Sequence, residues 1–291
     1  MSAIEWTERT WNPTTGCDRI SPGCDHCYAL TMAARLKAMG QAKYQRDGDP
    51  RTSGPGFGLT LHPDVLDVPL RRRVPTTWFV NSMSDLFHQD VPMDFVARVW
   101  STMSRTPQHT YQILTKRPQR MARRVGAICW EWDGDDRGGE AYYWPGRHSY
   151  ERLDGEVVDW EPTEADLDGG GEQPLPNVWL GTSIESDRYT FRANHLRATP
   201  AAVRFLSLEP LLGPLPSLDL TGIDWVIAGA ESGRGARAMD LGWVRDIRDR
   251  CTDAGIPLFF KQDAVNGRKV PTPELDGEQW VQMPERRAVA S

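Results

Sequence analysis

The stretch Thr77-Trp78-Phe79-Val80-Asn81-Ser82-Met83-Ser84-Asp85 carries the plan of this chain. Four β-branched or aromatic residues run without alternation and then give way to polar side chains. An unbroken apolar run of that length reads as a strand buried on both faces, the kind found in parallel sheets. A helical pattern follows, with Phe95, Val96, Val99 and Trp100 on its buried face. The unit then recurs. Thr110–Thr115 precedes a basic helix around Met121, and Asn177–Ile184 precedes a helical stretch from Phe191 to Leu196. Val203–Leu208 and Asp224–Gly229 follow, then a helix from Leu241 to Ala254 stopped by Gly255, and finally Ile256–Lys261. Gly58–His62, with Pro63 starting its helix, and Ile4–Trp11 bring the expected strands to eight. Strand–helix alternation predicts an α/β fold, a parallel (β/α) barrel, complete or partial, with helices outside. An open doubly wound sheet is the alternative. The 291 residues, 39% hydrophobic and with 12 tryptophans, suit one barrel domain spanning 1–291.

Residues 126–176 interrupt the pattern as an acidic, Gly- and Trp-rich insertion ending in Gly169-Gly170-Gly171 before Pro174 and Pro176. Within it, residues 130–172 carry a balance of −11 against −6 for the whole chain, which leaves the remainder at +5. Basic runs at Arg71–Arg73 and from Lys116 to Arg124 read as solvated faces or as contacts to a phosphate backbone. Residues 264–291 form a hairpin-like tail, with Leu275-Asp276-Gly277 as its turn. Met1 to Trp11 carries Glu5, Glu8 and Arg9 with no apolar core, so it does not read as a signal peptide, and no apolar run is long enough to span a bilayer. The expected compartment is the cytoplasm, with no membrane partner.

The apolar runs share a second feature, an abrupt polar end. They close on Ser82, Ser84 and Asp85, on Lys116 and Arg117, on Ser183 and Glu185, on Glu209, on Glu231 and Ser232, and on Lys261 and Gln262. In a parallel barrel the carboxyl ends of the strands meet at one mouth, where such enzymes keep their sites. Lys116, Glu209, Glu231 and Lys261 are therefore the candidates for substrate contact or proton transfer, since a buried Lys–Glu pair suits acid–base work. The same groups would equally serve as structural salt bridges across the mouth.

Three of the five cysteines cluster in Cys17-Asp-Arg-Ile-Ser-Pro-Gly-Cys24-Asp-His-Cys27-Tyr28. Structural zinc normally closes with four ligands, and iron–sulfur clusters are commonly held by four cysteines. Three thiolates leave an open position, as a cluster with one free iron would. Zinc with a distant fourth ligand stays open as a reading, because His26 lies between two of the thiols. So does a redox dithiol at Cys24-x-x-Cys27. Cys129 and Cys251 stand alone.

A three-cysteine loop after a first strand of an α/β barrel resembles the radical S-adenosylmethionine superfamily, whose usual spacing is Cys-x3-Cys-x2-Cys. Cys24-x2-Cys27 matches that spacing, while six residues separate Cys17 from Cys24. A phage-associated three-cysteine-motif family of unknown function is closer. Trp11-Asn-Pro-Thr-Thr-Gly-Cys17, Asn81-Ser-Met-Ser-Asp-Leu-Phe87, Leu114-Thr-Lys-Arg-Pro118, Ser207-Leu-Glu-Pro210 and Ala228-Gly-Ala-Glu-Ser-Gly233 carry the likeness. Spore photoproduct lyases are similar more distantly. The resemblance implies a [4Fe–4S] cluster on Cys17, Cys24 and Cys27 that cleaves S-adenosylmethionine reductively with an electron from an external one-electron donor. It implies cofactor contacts from His26, Tyr28, Ser82, Ser84, Asp85, Ser183 and Ser232, and a nucleic-acid base, in DNA or RNA, as substrate. Gly138-Gly139-Glu140 has the look of the superfamily's amino-group motif but falls in the insertion and reads as a decoy. The alternative function is a zinc- or cluster-stabilised module that binds nucleic acid or a partner protein without radical chemistry.

Overall fold

A computed structural model describes residues 4–126, 128–131, 140–146, 149–151, 157–159, 174–233, 235–265 and 268–285. Eight strands form its main sheet: β1 (Arg9–Trp11), β2 (Thr77–Val80), β3 (Thr110–Thr115), β4 (Val178–Ser183), β5 (Val203–Leu208), β6 (Trp225–Gly229), β7 (Leu258–Val265) and β8 (Arg268–Pro271). They lie side by side in that same order. Neighbours from β1 to β7 pair in parallel, and β8 turns back antiparallel on β7.

That order selects between the two architectures left open by the sequence. Each parallel strand pairs with the next one in the chain, so every crossover moves in one direction. Right-handed crossovers then place the connecting helices on one face, and the sheet curls away from them. A doubly wound sheet would reverse its strand order part-way across. β1 and β8 are the sheet edges, so the result is a curled, mostly parallel partial barrel.

Gly58–His62 does not belong to it. Thr60–Leu61 pairs antiparallel with Thr14–Thr15 in a two-stranded sheet, and Pro63 opens only a 3₁₀ turn, Pro63–Val65. The short apolar run there covers the start of the cysteine loop instead of extending the sheet. Conversely, β8 has the sequence Arg-Lys-Val-Pro, which carries no apolar run to announce it.

Side-chain alternation divides the strands into two faces. Trp78, Val80, Tyr111, Ile113, Leu180, Leu206, Val226 and Phe260 face the helix layer, where α2 (Met93–Ser104) contributes Phe95, Val96, Val99, Trp100 and Met103. The helix Leu241–Ala254 adds Val244, Ile247 and Cys251, with Asp240 accepting from the Gly242 amide at its start and Gly255 left-handed at its end. The opposite, concave face holds Trp6, Phe79, Trp179, Phe205, Trp225, Ile227 and Phe259. This aromatic plug fills the barrel floor. Gly181 belongs to it, because a Cβ there would sit 2.5 Å from ring carbons of Phe205. Gly181→Ala is expected to lower stability by about 1–3 kcal/mol through overpacking. Urea unfolding would show this, and an unchanged midpoint would mean that the plug is loosely packed.

Beyond the helix Pro118–Val125, the segments Ile128–Glu131, Glu140–Gly146, Ser149–Glu151 and Val157–Asp159 form a separate antiparallel sheet. Gly138 and Gly139 of the decoy motif lie outside the described residues. In the tail, Glu274–Leu275 pairs with Glu278–Gln279 around Asp276 and Gly277, both at positive φ. No helix among the described residues is long and apolar enough to cross a membrane.

Candidate functional site

The aromatic floor stops short of the strand ends, and the inward residues beyond it are polar. Asn81, Lys116, Ser183, Ser207, Glu209, Glu231 and Lys261 all line a single cavity at the barrel mouth. Cys17, Cys24 and Cys27 line the same cavity, with His26 and Tyr28, and Trp6, Phe79 and Leu114 form its apolar base. Every candidate residue named from the sequence borders this space, including Ser82, Ser84, Asp85 and Ser232.

Local bonds bring the cysteine loop there. Asn12 Oδ1 accepts from Ser82 Oγ and from the Met83 amide, both at 3.2 Å. Asn81, at φ 61°, donates through Nδ2 to Thr14 Oγ1 at 2.6 Å. Thr14 Oγ1 also lies 2.8 Å from Ser84 Oγ. Gly16 then turns the chain at φ +88°, where a Cβ would run into the Gly58 carbonyl. Only glycine suits this position. Cys17 follows at once, Cys24 ends a 3₁₀ turn begun by Pro22, and Cys27 stands at the N-terminus of α1 (Tyr28–Ala38).

Neither Cys17 nor Cys27 is primed for exchange. Burial pushes Cys17 up to about 12, with Arg117 acting against it, and pushes Cys27 up against the amides of α1 and the charge of Lys116. A redox dithiol needs the opposite shift, and Cys27 does not have it. Cys24 is electrostatically felt by both other thiols. Among the described residues, no group of three or more His, Cys, Asp or Glu is arranged to hold a single metal ion.

Two ionic clusters brace the loop. In the first, Arg117 Nη1 donates to Cys17 Sγ at 3.3 Å and to Asp85 Oδ2 at 2.9 Å, while Nη2 donates to the Asp18 carbonyl at 3.1 Å. Asp85 also accepts from the Thr115 hydroxyl at 2.7 and 2.9 Å and from the amides of Phe87 and Lys116. Its carboxylate is thereby engaged wholly by the protein. In the second cluster, Glu231 accepts from the Arg237 amide at 2.9 Å and from Nε at 3.0 Å, and also from Nη2. His26 Nδ1 lies 2.8 Å from Glu231 Oε2, and Arg237 Nη2 reaches the Pro22 carbonyl at 2.8 Å. Burial works to raise the Glu231 carboxyl, but the Arg237 bonds outweigh it and hold it at about 2.

Glu209 and Lys261 form the ion pair across the mouth, Nζ to Oε1 at 2.6 Å. Lys116, by contrast, has no ion-pair partner among the described residues. Tyr28 donates to the Ser82 carbonyl, and burial raises its hydroxyl well above the ordinary range. The basic runs are less available than their sequence suggests. Arg71 pairs with Asp67, Arg72 donates to Thr76, and Arg120 donates to the Gln89 and Val91 carbonyls. Arg117 is turned inward, away from the rest of its run.

Asn81, Arg117 and Ser207 were read only as polar strand ends with no role assigned, and Arg237, which reaches Glu231, was not singled out. Ser207 and Asn81 had a usable signal, because each occupies the inward parity of its strand next to a polar end. Nothing in the sequence identifies which arginine reaches Cys17 or Glu231.

The sequence matches the family described as "Protein of unknown function (DUF5131)" over residues 1–284. The chain belongs to this family. No curated protein matches the DUF5131 chain. Among solved structures it is similar to a cysteine-to-serine mutant of spore photoproduct lyase, at 13% identity and a TM-score of 0.41, covering 92% of this chain and 69% of that one. It is also similar to spore photoproduct lyase complexed with dinucleoside spore photoproduct, at 13% identity and a TM-score of 0.39, covering 89% of this chain and 66% of that one.

Proposed function

We propose that this DUF5131 protein is a radical-S-adenosylmethionine-type enzyme whose Cys17, Cys24 and Cys27 hold a [4Fe–4S] cluster over the barrel mouth. The observation that supports it most is the shared cavity, in which three thiols face the polar carboxyl ends of parallel strands. The donor chemistry fits. The Cys17 and Cys27 thiols, kept protonated by burial, would give up their protons when a metal binds, and three ligands would leave one iron open. When bound, such a cluster supplies the electron that cleaves S-adenosylmethionine to methionine and a 5′-deoxyadenosyl radical. The protein's part is then to bind, orient and exclude water.

His26 and Tyr28, beside the last cysteine, would border the adenine, with Ser82, Ser84, Ser183 and Ser232 supplying polar contacts. Asp85 would act through Arg117. Lys116, which has no ion-pair partner among the described residues, would meet an anionic group. Glu209 with Lys261 would move or hold protons at the substrate, while Glu231, engaged by Arg237, would position His26. Trp6 and Phe79 line the cavity base, where the little ring surface they leave open would give a nucleic-acid base an apolar floor. A base in DNA or RNA is therefore the proposed substrate, and an external one-electron donor the required partner.

The test is anaerobic reconstitution with iron and sulfide, followed by reduction with and without S-adenosylmethionine. We expect a [4Fe–4S] paramagnetic resonance signal that shifts with the cofactor, together with 5′-deoxyadenosine, both abolished in Cys17→Ala. Stoichiometric zinc, or a cluster indifferent to the cofactor, would overturn the proposal and leave a metal-stabilised binding module.

A further inference from the structure

Arg117 is an unusual neighbour for a cluster ligand. Its side chain is only 13% exposed, and the guanidinium fork is divided between the Cys17 sulfur and two fixed acceptors, Asp85 Oδ2 and the Asp18 carbonyl. Asp85 is itself fixed by Thr115 and two backbone amides, so the guanidinium has little freedom to turn away. The carboxylate offsets part of the positive charge. At Cys17, however, the Arg117 charge outweighs that of Asp85, and the direct hydrogen bond adds to it.

We infer that Arg117 is a positioning and tuning residue for the metal centre, raising the potential at which a cluster on Cys17 accepts its electron. The inference rests on the reading that Cys17, Cys24 and Cys27 hold an iron–sulfur cluster. Reduction adds one negative charge to the cluster, taken from an external reductant that is oxidised by one electron. A donor pointed at a ligand sulfur stabilises that added charge, and hydrogen bonds to the sulfurs are among the factors that set cluster potentials. Asp85, by holding the guanidinium in place, is the second part of the device.

The experiment is a dithionite titration of reconstituted wild type, Arg117→Gln and Arg117→Lys, followed by paramagnetic resonance, with iron content measured alongside. At the wild-type midpoint, the ratio of reduced to oxidised cluster in the Gln variant should fall about tenfold, equivalent to 59 mV for one electron. The Lys variant keeps a charge but cannot reach both Asp85 and the sulfur, so it should shift in the same direction by less. A purely structural role would lower the iron content without moving the midpoint of the clusters that form. Wild-type midpoints in the variants that assemble would overturn the inference and leave the cluster reading intact. If the Gln variant assembles no cluster, the Lys variant decides by the same criterion. A wild-type protein that takes up no iron–sulfur cluster would overturn the functional reading, and this inference with it.

Discussion

Arg192→Met is expected to destabilise the protein by about 3–5 kcal/mol, the usual consequence of leaving a buried charge without its partner. Glu185 is 0% exposed and Arg192 4%, with Nη1 2.8 Å from Glu185 Oε2 and also 2.8 Å from the Ser183 carbonyl. Glu185 Oε1 accepts nothing further among the described residues, so the arginine provides most of its compensation. The Arg192 guanidinium also lies 4.3 Å from the Tyr189 ring centre, a contact that a methionine would keep only in part. The position matters for the site as well as for the core. A Cβ on Gly23 would meet the Glu185 side chain at 3.2 Å, so this pair forms the surface on which the Pro22–Cys24 turn rests. Urea unfolding should therefore show a large loss of stability, accompanied by faster amide exchange in the Pro22–Cys24 turn. Arg192→Met combined with Glu185→Leu should recover much of the stability, because the double replacement leaves no orphan charge. A single variant within about 1 kcal/mol of wild type would show that water reaches Glu185 and that the pair contributes little.

The barrel was legible because parallel strands buried on both faces are written as unbroken apolar runs. Thr77–Val80, Val178–Ser183 and Trp225–Gly229 each announce themselves in this way. The shared mouth was legible for a related reason: each apolar run gives way to polar residues at its carboxyl end, as at Phe79 to Asn81, Phe205 to Ser207 and Phe259 to Lys261. Where the reading failed, the signal was local and the cause tertiary. Thr60–Leu61 has strand-forming residues, but its partner is Thr14–Thr15, and nothing in its own sequence specifies a partner outside the main sheet. β8 is polar because it is an edge strand, paired on one side only. Glu231 was visible as a charged strand end. Its engagement by Arg237 and His26 was not, since one partner lies six residues away and the other two hundred and five. Long-range ion pairs leave no periodic trace in a sequence.

That last cluster sets a pH dependence with a definite sign. A carboxyl whose folded value is held at about 2, against 4.5 in the unfolded chain, contributes stability that is fully present above 4.5. The contribution drains away as pH falls through that window towards 2. At 1.36 kcal/mol per unit the gap is on the order of 3 kcal/mol, and the partial exposure of Arg237 to solvent brings it to about 2–3 kcal/mol. Glu231→Gln should therefore be less stable than wild type by roughly that amount at pH 7. The two unfolding curves should converge as the pH approaches 2, because protonation has by then made the wild-type side chain neutral too. Urea midpoints at a series of pH values give the comparison directly, and a gap that stays constant down to pH 2 would show that the carboxylate charge is not what stabilises. The effect should also reach the cysteine loop, since Arg237 holds the Pro22 carbonyl and Glu231 holds His26. In Arg237→Gln the barrel strands keep their own ladders, while the turn carrying Cys24 loses its anchor. Amide exchange should then rise around residues 22–27 and stay slow in β5 and β6. Equal exchange in wild type and variant would mean that the loop is held by its own turns alone.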